Sequence, residues 1–165
     1  MSASGKRDGA NCLVRQIAID DLGELVELFV EHAQYEGAAF DPDGVADRLL
    51  DALWTQPVRL HAWVATSGAG LMGYATATAE FSTWMARDYL HMDCLFVRDG
   101  WRGAGIGTAL LAAVIEHACD SGYLVLQWQT PAWNKDAARF YRRNGAVEKI
   151  KRRYLLDVRT YHPFR

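Results

Sequence analysis

One short segment, residues 102–108, restricts the fold more than any other part of this sequence. It reads Arg-Gly-Ala-Gly-Ile-Gly-Thr, follows an apolar run at 95–97 and opens a stretch with apolar side chains at helical spacing. The backbone N–H groups of a first helical turn point outward together and bind anions such as phosphate. Glycines let the backbone approach the anion, and Arg102 adds a permanent positive charge. The segment therefore predicts either a phosphate site where a strand passes into a helix or a tight turn whose glycines serve geometry alone.

Two other nucleotide motifs fit this segment poorly. A dinucleotide-binding fingerprint requires a third glycine where Thr108 stands, and it lies early in a βαβ unit. A phosphate-binding P-loop requires Gly-Lys followed by Ser or Thr, which this segment lacks. The net charge of −2 argues against a general nucleic-acid-binding protein, and we expect no nucleic-acid partner.

Length and composition predict one globular domain. The chain has 165 residues, of which 50% are hydrophobic, enough for a single core. Residues 1–11 are polar and small, so we expect a flexible leader before a single domain at 12–165. No apolar run approaches the roughly 18 residues that span a membrane. Three widely spaced cysteines predict neither a disulfide framework nor a metal site, and reduced thiols favour the cytoplasm.

The pattern of apolar residues predicts an α+β fold, a mixed central sheet with about four helices on both faces. Asp21 and Glu24 have the spacing of a capping box at the start of the first helix, and Asp41-Pro42 is a start signal for the second. The predicted strands are 12–17, 60–66, 71–81, 89–97, 123–129 and one or two within 146–157; the predicted helices are 21–35, one from 41, 106–121 and 134–143.

Two signatures resemble one enzyme family. Arg102, Gly105 and Gly107 form Arg-x-x-Gly-x-Gly, which is similar to the coenzyme A pyrophosphate loop of the GNAT superfamily of N-acetyltransferases. Residues 133–146, with Trp-Asn, Phe-Tyr-Arg-Arg and Gly-Ala, resemble its second signature. The likeness runs from about Leu13 to Leu156. It implies the GNAT fold, acetyl-CoA as co-substrate without a metal, and direct attack by a primary amine in a ternary complex.

A closer resemblance is to the diamine (spermidine/spermine-type) acetyltransferase branch, whose members are commonly homodimers. Ala-Gln-Tyr-Glu at 33–36 is similar to that branch's substrate-contacting segment, and Met-Asp-Cys-Leu-Phe-Val at 92–97 resembles its Leu-Glu-Asp-Phe-Phe-Val strand. Asp93 stands where the branch has its first acid, and Cys94 replaces the second. The acceptor implied is a small polyamine or an amino-acid-like amine.

The resemblance also implies the site residues. It places the coenzyme on a strand segment, the glycine loop and the start of a later helix: Leu95, Phe96, Val97, Arg102, Gly103, Ala104, Gly105, Ile106, Gly107, Thr108, Asn134 and Ala137. It places the acceptor amine against Tyr35, Glu36, Asp93, Gln127 and Trp128.

Proton transfer has two candidate residues. Tyr141 matches the family's general acid, and a phenol of pKa near 10 can protonate a departing thiolate; its alternative role is a helix aromatic packed beside Phe140. Strand alternation places Asp93 on the opposite face from its immediate neighbours. Asp93 is predicted as the base, an ammonium anchor or a carboxylate that only satisfies backbone donors. A covalent role for Cys94 is disfavoured, because no activating histidine–acid arrangement can be identified.

Several further residues remain open between function and structure. Glu36 and Glu80 could bind an ammonium or be solvated, and His91, predicted to share a face with Asp93, and His117 could be bases or surface residues. Trp84, Trp128 and Trp133 could line an apolar channel or belong to the core. The alternative functions are acetylation of a peptide amine or an aminoglycoside, and a non-catalytic acyl-CoA sensor.

Overall fold

The computed structural model describes residues 12–160, which divide into two compact units, one up to Pro131 and one from Ala132. The leader predicted at 1–11 lies outside the described residues. A 3-10 turn, Ile19–Asp21, precedes the first helix. The elements of the first unit are β1 (Leu13–Gln16), α1 (Leu22–Glu36), α2 (Val45–Trp54), β2 (His61–Ser67), β3 (Gly70–Ser82), β4 (Arg87–Val97), α3 (Ile106–Asp120) and β5 (Leu126–Gln127), and the second unit holds α4 (Lys135–Arg143).

The five strands form one sheet in the order β1-β2-β3-β4-β5. Neighbouring strands among the first four are antiparallel, and β5 lies parallel to β4 after the crossover through α3. Short turns join β2 to β3 and β3 to β4, whereas α1 and α2 lie between β1 and β2. Both kinds of pairing therefore occur in one sheet, which confirms the predicted α+β class with a mixed sheet.

The helices of the first unit cover both faces of this sheet. Leu25 and Leu28 of α1 are fully buried in a cluster that includes Val64, Tyr74 and Phe96. On the other face α3 packs on β2 to β4, and its His117 ring lies 5.2 Å from that of Trp63. Trp63 and Val64 are adjacent on β2 and point to opposite faces, because strand side chains alternate.

The capping box predicted at Asp21 and Glu24 is wrong. Asp21 precedes α1 but makes no side-chain cap; its carboxylate instead accepts hydrogen bonds from Arg15 at 2.6 and 2.9 Å and from the Ala18 amide. Glu24 Oε2 accepts a bond from the Leu71 amide at 2.7 Å. The two carboxylates are thus bound by Arg15 and by the distant Leu71 amide, and α1 begins without a capping box.

The second helix starts later than Asp41-Pro42 predicts. Asp41 Oδ1 accepts a bond from the Asp43 amide at 3.0 Å, a local turn that competes with a helical start. The chain then passes through Gly44 in the left-handed region, at φ 63°, before Val45 begins α2.

The strand predictions near the carboxyl end are also partly wrong. The strand predicted at 123–129 is reduced to the two residues of β5, because only Leu126 and Gln127 pair with β4. No strand forms in the described residues 146–157, where Val147, Ile150 and Leu155 are more than four-fifths exposed. Apolar alternation favours a strand only where a neighbouring strand can satisfy the backbone.

The second unit, described by itself, is organised around α4. Asn134 precedes the helix, and its side-chain oxygen accepts a bond from the Ala137 amide at 3.0 Å, a standard N-terminal cap. The Phe140 and Tyr141 rings lie 5.1 Å apart in an edge-to-face arrangement. Within residues 12–160, no helix is long and apolar enough to cross a membrane.

Candidate active site

The glycine loop joins the end of β4 to the start of α3, as the sequence predicts. Gly103 and Gly105 adopt the left-handed region at φ 79° and 82°, and an added side chain at either would meet nothing within 4 Å. Gly105 precedes α3, whose first turn has neither a capping side chain nor an acid. The amides of that turn, which includes Gly107 and Thr108, have no acceptor within the helix. The loop thus presents uncapped donors to open space, which suits a pyrophosphate.

Arg102 fastens this loop to β4 and α1. Its Nε donates to the Val97 carbonyl at 2.9 Å. Its guanidinium lies 4.3 Å from the centre of the Tyr35 ring and 5.6 Å from that of Phe96, a cation–π arrangement. The charge at the anion site therefore contacts residue 35, which the resemblance assigns to the acceptor.

A β-bulge interrupts β4 at Asp93. Thr76 of β3 pairs with Cys94 and the next residue, Ala77, pairs with Met92, so Asp93 is left without a partner in the ladder. Asp93 Oδ2 lies 3.8 Å from Cys94 Sγ, and the two neighbouring side chains therefore lie on the same side of the strand. The alternation that placed Asp93 opposite both of its neighbours is wrong at this point, because the extra residue changes the pairing.

Beyond this bulge β4 keeps a strand partner on one side only. Pairing with β5 ends at His91 and Gln127, whereas pairing with β3 continues to Val97. Within the described residues, the edge of Leu95–Val97 that faces away from β3 thus has no strand partner. Backbone donors and acceptors on an open edge can bind an extended ligand as an added strand, which fits the pantetheine arm expected at this segment.

The end of β4 also fixes the position of α1. Arg98 Nε lies 2.9 and 3.0 Å from the two carboxylate oxygens of Glu31, and its Nη1 donates to the Leu71 carbonyl at 3.0 Å. Glu31 is followed on α1 by His32, Tyr35 and Glu36. This ion pair therefore holds the predicted acceptor segment against the predicted donor strand, since a bidentate Arg–carboxylate contact restrains orientation as well as distance.

Next to this ion pair lies a cluster of polar side chains contributed by α1, β3 and β4. We call it the His32 cluster; its members are His32, Glu36, Tyr74, Asp93 and Cys94. The His32 Nδ1 is 2.7 Å from the Tyr74 hydroxyl, and its Nε2 is 3.4 Å from Glu36 Oε1. The His32 ring stacks on Phe96 with 4.8 Å between centroids. The cluster thus connects the predicted acceptor carboxylate with the predicted donor strand.

Electrostatics in the His32 cluster favour neutral forms of its inner members. Burial raises the pKa of the Cys94 thiol to about 11, and the Asp93 charge adds to the effect. Burial also raises the pKa of Tyr74, with further contributions from Cys94, Asp93 and Glu36. Burial lowers the pKa of His32, against an opposing contribution from Glu36. The side chains of His32, Tyr74 and Cys94 are therefore neutral, and they lie beside the carboxylates of Glu36 and Asp93.

The structure also locates the other candidate residues. Glu80 accepts a hydrogen bond from Tyr89 at the exposed end of the β3–β4 hairpin. Trp84 is 99% exposed at the tip of that hairpin, so neither the channel-lining role nor the core role holds for it within the described residues. His91 is half-buried on β4, and Gln127, which pairs with it, is exposed. Trp128, which follows Gln127, is half-buried.

Asn134, Ala137 and Tyr141 belong to the second unit. The Asn134 side chain is buried and its oxygen caps α4 through the Ala137 amide. Tyr141 is half-buried one turn further along that helix. Trp133, the last of the aromatic candidates, is 54% exposed. Their roles toward coenzyme and thiolate remain predictions.

Comparison with known proteins supplies the family. Residues 24–146 match the acetyltransferase (GNAT) family, a span that contains the glycine loop, the open edge of β4 and α4. The protein is a GNAT N-acetyltransferase. Members of this family use acetyl-CoA, and the loop described above has the open, uncapped amides that its pyrophosphate requires. Among the described residues, no group of histidine, cysteine and acidic side chains is arranged to hold a metal.

The chain is similar to named relatives over most of its length. It is 28% identical to the thialysine N-epsilon-acetyltransferase of Sus scrofa, covering 94% of this chain and 92% of that one. It is 32% identical to an integron cassette protein from a salt-marsh metagenome, with a TM-score of 0.71 and 91% of each chain covered. A soil-metagenome aminoglycoside acetyltransferase shares the fold, with a TM-score of 0.75 at 19% identity over 90% and 97% of the chains.

Sequence reasoning missed three residues of this site: His32, Tyr74 and Arg98. His32 is four residues before Glu36, the spacing that brings two helical side chains together, and this was a usable signal. Tyr74 and Arg98 carry no such signal, because their partners are 42 and 67 residues away along the chain.

Proposed function

We propose that this GNAT enzyme acetylates a small acceptor with a primary amine, of the amino-acid or polyamine type. The observation that carries the proposal is the pair of carboxylates, Glu36 and Asp93, both of which act electrostatically on the buried Tyr74. Two acids near one buried point attract an alkylammonium group, and an acidic pocket raises the local concentration of a cationic substrate. The curated relatives named as thialysine acetyltransferases support an amino-acid-like amine within this class.

The same residues support direct attack in a ternary complex. When acetyl-CoA is bound, it supplies an activated acetyl thioester. The first-turn amides of α3 and Arg102 would hold its pyrophosphate, and the open edge of Leu95–Val97 would hold its pantetheine arm. Cys94 is unsuited to an acyl-enzyme route because its thiol is almost entirely protonated at neutral pH, with a pKa of about 11.

Proton transfer completes the proposal. Glu36 anchors the ammonium, and Asp93 anchors it or takes its proton. Tyr141 donates the proton that the departing thiolate requires, since a phenol can protonate a thiolate whose acid has a pKa of roughly 8.5. From the resemblance to the diamine acetyltransferase branch we propose a homodimer, which light scattering would test through a mass twice that of the chain. From the three widely spaced cysteines we propose a cytoplasmic location.

The test is an acceptor screen that measures thiol release from acetyl-CoA. The panel contains thialysine, lysine, spermidine, an aminoglycoside and peptides with a free amino terminus or a lysine. We expect turnover with one of the first three. Turnover confined to the peptides or to the aminoglycoside would refute the proposed substrate class, and tight acetyl-CoA binding without any turnover would support a sensor.

A matched pair of variants tests the role of Glu36. Glu36→Gln should raise the KM for the acceptor about 10-fold or more, because a hydrogen bond to a charged group contributes roughly 1.5–3 kcal/mol. Glu27→Gln removes the same charge from the exposed side of α1 and should leave that KM unchanged. Equal KM values for the two variants would contradict an anchoring role for Glu36.

A further inference from the structure

His32 lies where a proton acceptor for the amine would have to be. It is on α1, one turn before Glu36, and its side chain is 15% exposed. One ring face stacks on Phe96, part of the segment expected to bind the coenzyme's arm. The Nε2 edge approaches the Glu36 carboxylate at 3.4 Å. His32 thus adjoins both the predicted ammonium anchor and the predicted donor strand.

Tyr74 holds the ring in this orientation. Its hydroxyl is 2.7 Å from His32 Nδ1, and Tyr74 is 1% exposed. Two arrangements of the protons are compatible with the hydrogen bond between His32 and Tyr74. In one, the tyrosine donates to Nδ1 and Nε2–H points to Glu36. In the other, Nδ1–H donates to the tyrosine oxygen and the Nε2 lone pair faces Glu36. An ammonium bound to Glu36 favours the second arrangement, because it presents its own N–H donors to Nε2.

We propose that His32 accepts the proton of the acceptor's ammonium, with Glu36 holding the ammonium and Tyr74 holding the ring, which leaves Asp93 the role of a second anchor. The inference rests on the proposed function. The N–H bond of the ammonium breaks and an Nε2–H bond forms, and the nitrogen keeps its electron pair and attacks the acetyl carbonyl. The C–S bond then breaks, the thiolate takes the Tyr141 proton, and a second proton lost from the nitrogen restores Tyr141. The imidazolium then releases its proton to water through the exposed part of its ring.

The charges around His32 suit this role. Glu36 on α1 and Asp93 on β4 stabilise the imidazolium, whereas Arg102 in the glycine loop opposes it. Tyr74 on β3 and Cys94 on β4 remain neutral and add no charge. Burial keeps the pKa of His32 below its usual value of about 6.5. The ring is therefore unprotonated at neutral pH and has a lone pair available, which an active base requires.

Two substitutions at His32 separate proton transfer from hydrogen bonding. His32→Asn retains a hydrogen-bonding group near the Nδ1 position and His32→Gln retains one near Nε2, but neither accepts a proton. Both should lower kcat/KM for the acceptor about 10²-fold or more, the usual share of general base catalysis. The Kd for acetyl-CoA should stay within twofold. The fall of kcat/KM on the acid side, expected below pH 6.5 in the wild type, should disappear.

His117→Gln is the matched control. Burial also lowers the pKa of His117, but His117 lies on the α3 face of the sheet beside a cavity of about 260 Å³ lined by Trp63 and Asp120. This variant should keep both kcat/KM and the acid-side inflection of the wild type. Loss of that inflection in His117→Gln would overturn the assignment to His32.

The outcomes distinguish this inference from the function on which it rests. A wild type that binds acetyl-CoA and acetylates no amine refutes the proposed function and this inference with it. An active wild type whose His32 variants remain within threefold in kcat/KM, or keep the inflection, refutes the role of His32 alone. If both variants fail to fold, ¹⁵N NMR of the wild type decides. Acceptor binding should shift His32 toward the Nδ1–H form, and an unchanged tautomer and pKa would overturn the proposal.

Discussion

Gly73 is the position where a single methyl group should damage both the fold and the donor site. It lies on β3 opposite the end of β4, and a Cβ built there would be 2.5 Å from the Phe96 carbonyl oxygen and 3.2 Å from the Val97 Cα. Real Cβ atoms essentially never approach another atom within 3.0 Å, so the contact must lengthen by about 0.5 Å. The obstructing atoms are backbone, and a rotamer change cannot relieve the clash.

The expected cost of Gly73→Ala follows from this geometry. Overfilling a packed site costs typically about 1–3 kcal/mol. A domain of this size loses about 2–4 °C of Tm per kcal/mol, so the midpoint should fall by roughly 2–12 °C. Because β3 and β4 must separate at Phe96 and Val97, where the pantetheine arm is expected to bind, the KM for acetyl-CoA should also rise.

Gly68→Ala is the control for this prediction. Gly68 lies in the β2–β3 turn, and a Cβ there would meet nothing within 4 Å. We expect a change within about 0.5 kcal/mol, as for most surface substitutions. Thermal unfolding by circular dichroism and steady-state kinetics measure both effects. If the two variants have the same Tm and the wild-type KM for acetyl-CoA, Gly73 is not required for the close approach of β3 to β4.

Three further predictions concern other groups. Tyr141→Phe should lower kcat about 10²-fold with unchanged acetyl-CoA affinity, and an unchanged kcat would remove it as the acid. At pH 8, iodoacetamide should label the exposed Cys119 well before Cys94, whose pKa of about 11 leaves only about 0.1% thiolate, as mass spectrometry would show. Arg15 lowers the pKa of Asp21, so its contribution is present above about pH 4 and is lost as pH falls further. Asp21→Asn should therefore cost about 1–2 kcal/mol in urea unfolding at pH 7 and progressively less as the pH falls below about 4.

Periodicity and glycine placement predicted most of the elements in the first unit. The strands β2 to β4 and the helix α3 lie within two residues of their predicted limits, because each combines a clear apolar pattern with a local turn signal. The glycine loop was predicted together with its setting, since all of its determinants are contiguous. Local information was sufficient wherever the determinants of structure are themselves local.

Predictions failed where a residue's role depends on a partner far along the chain. The acids Asp21 and Glu24 match a helix cap, but Arg15 and the Leu71 amide bind them instead. The bulge at Asp93 depends on how β4 pairs with β3, and strand alternation alone contains no register. The apolar pattern of 146–157 indicates a strand only if a neighbour is present.

The proposed coenzyme site can therefore be predicted from sequence more completely than the proposed acceptor site. Seven consecutive residues form the predicted donor loop, whereas the proposed acceptor side combines His32 and Glu36 of α1, Tyr74 of β3 and the bulge of β4. Arg98, which contacts Glu31 and the Leu71 carbonyl, holds these elements together without belonging to the His32 cluster. Replacing Arg98 would move α1 against β4 and change the acceptor side while the amides of the donor loop stay in place. Acceptor preference in such a fold should consequently respond to changes outside the contact residues.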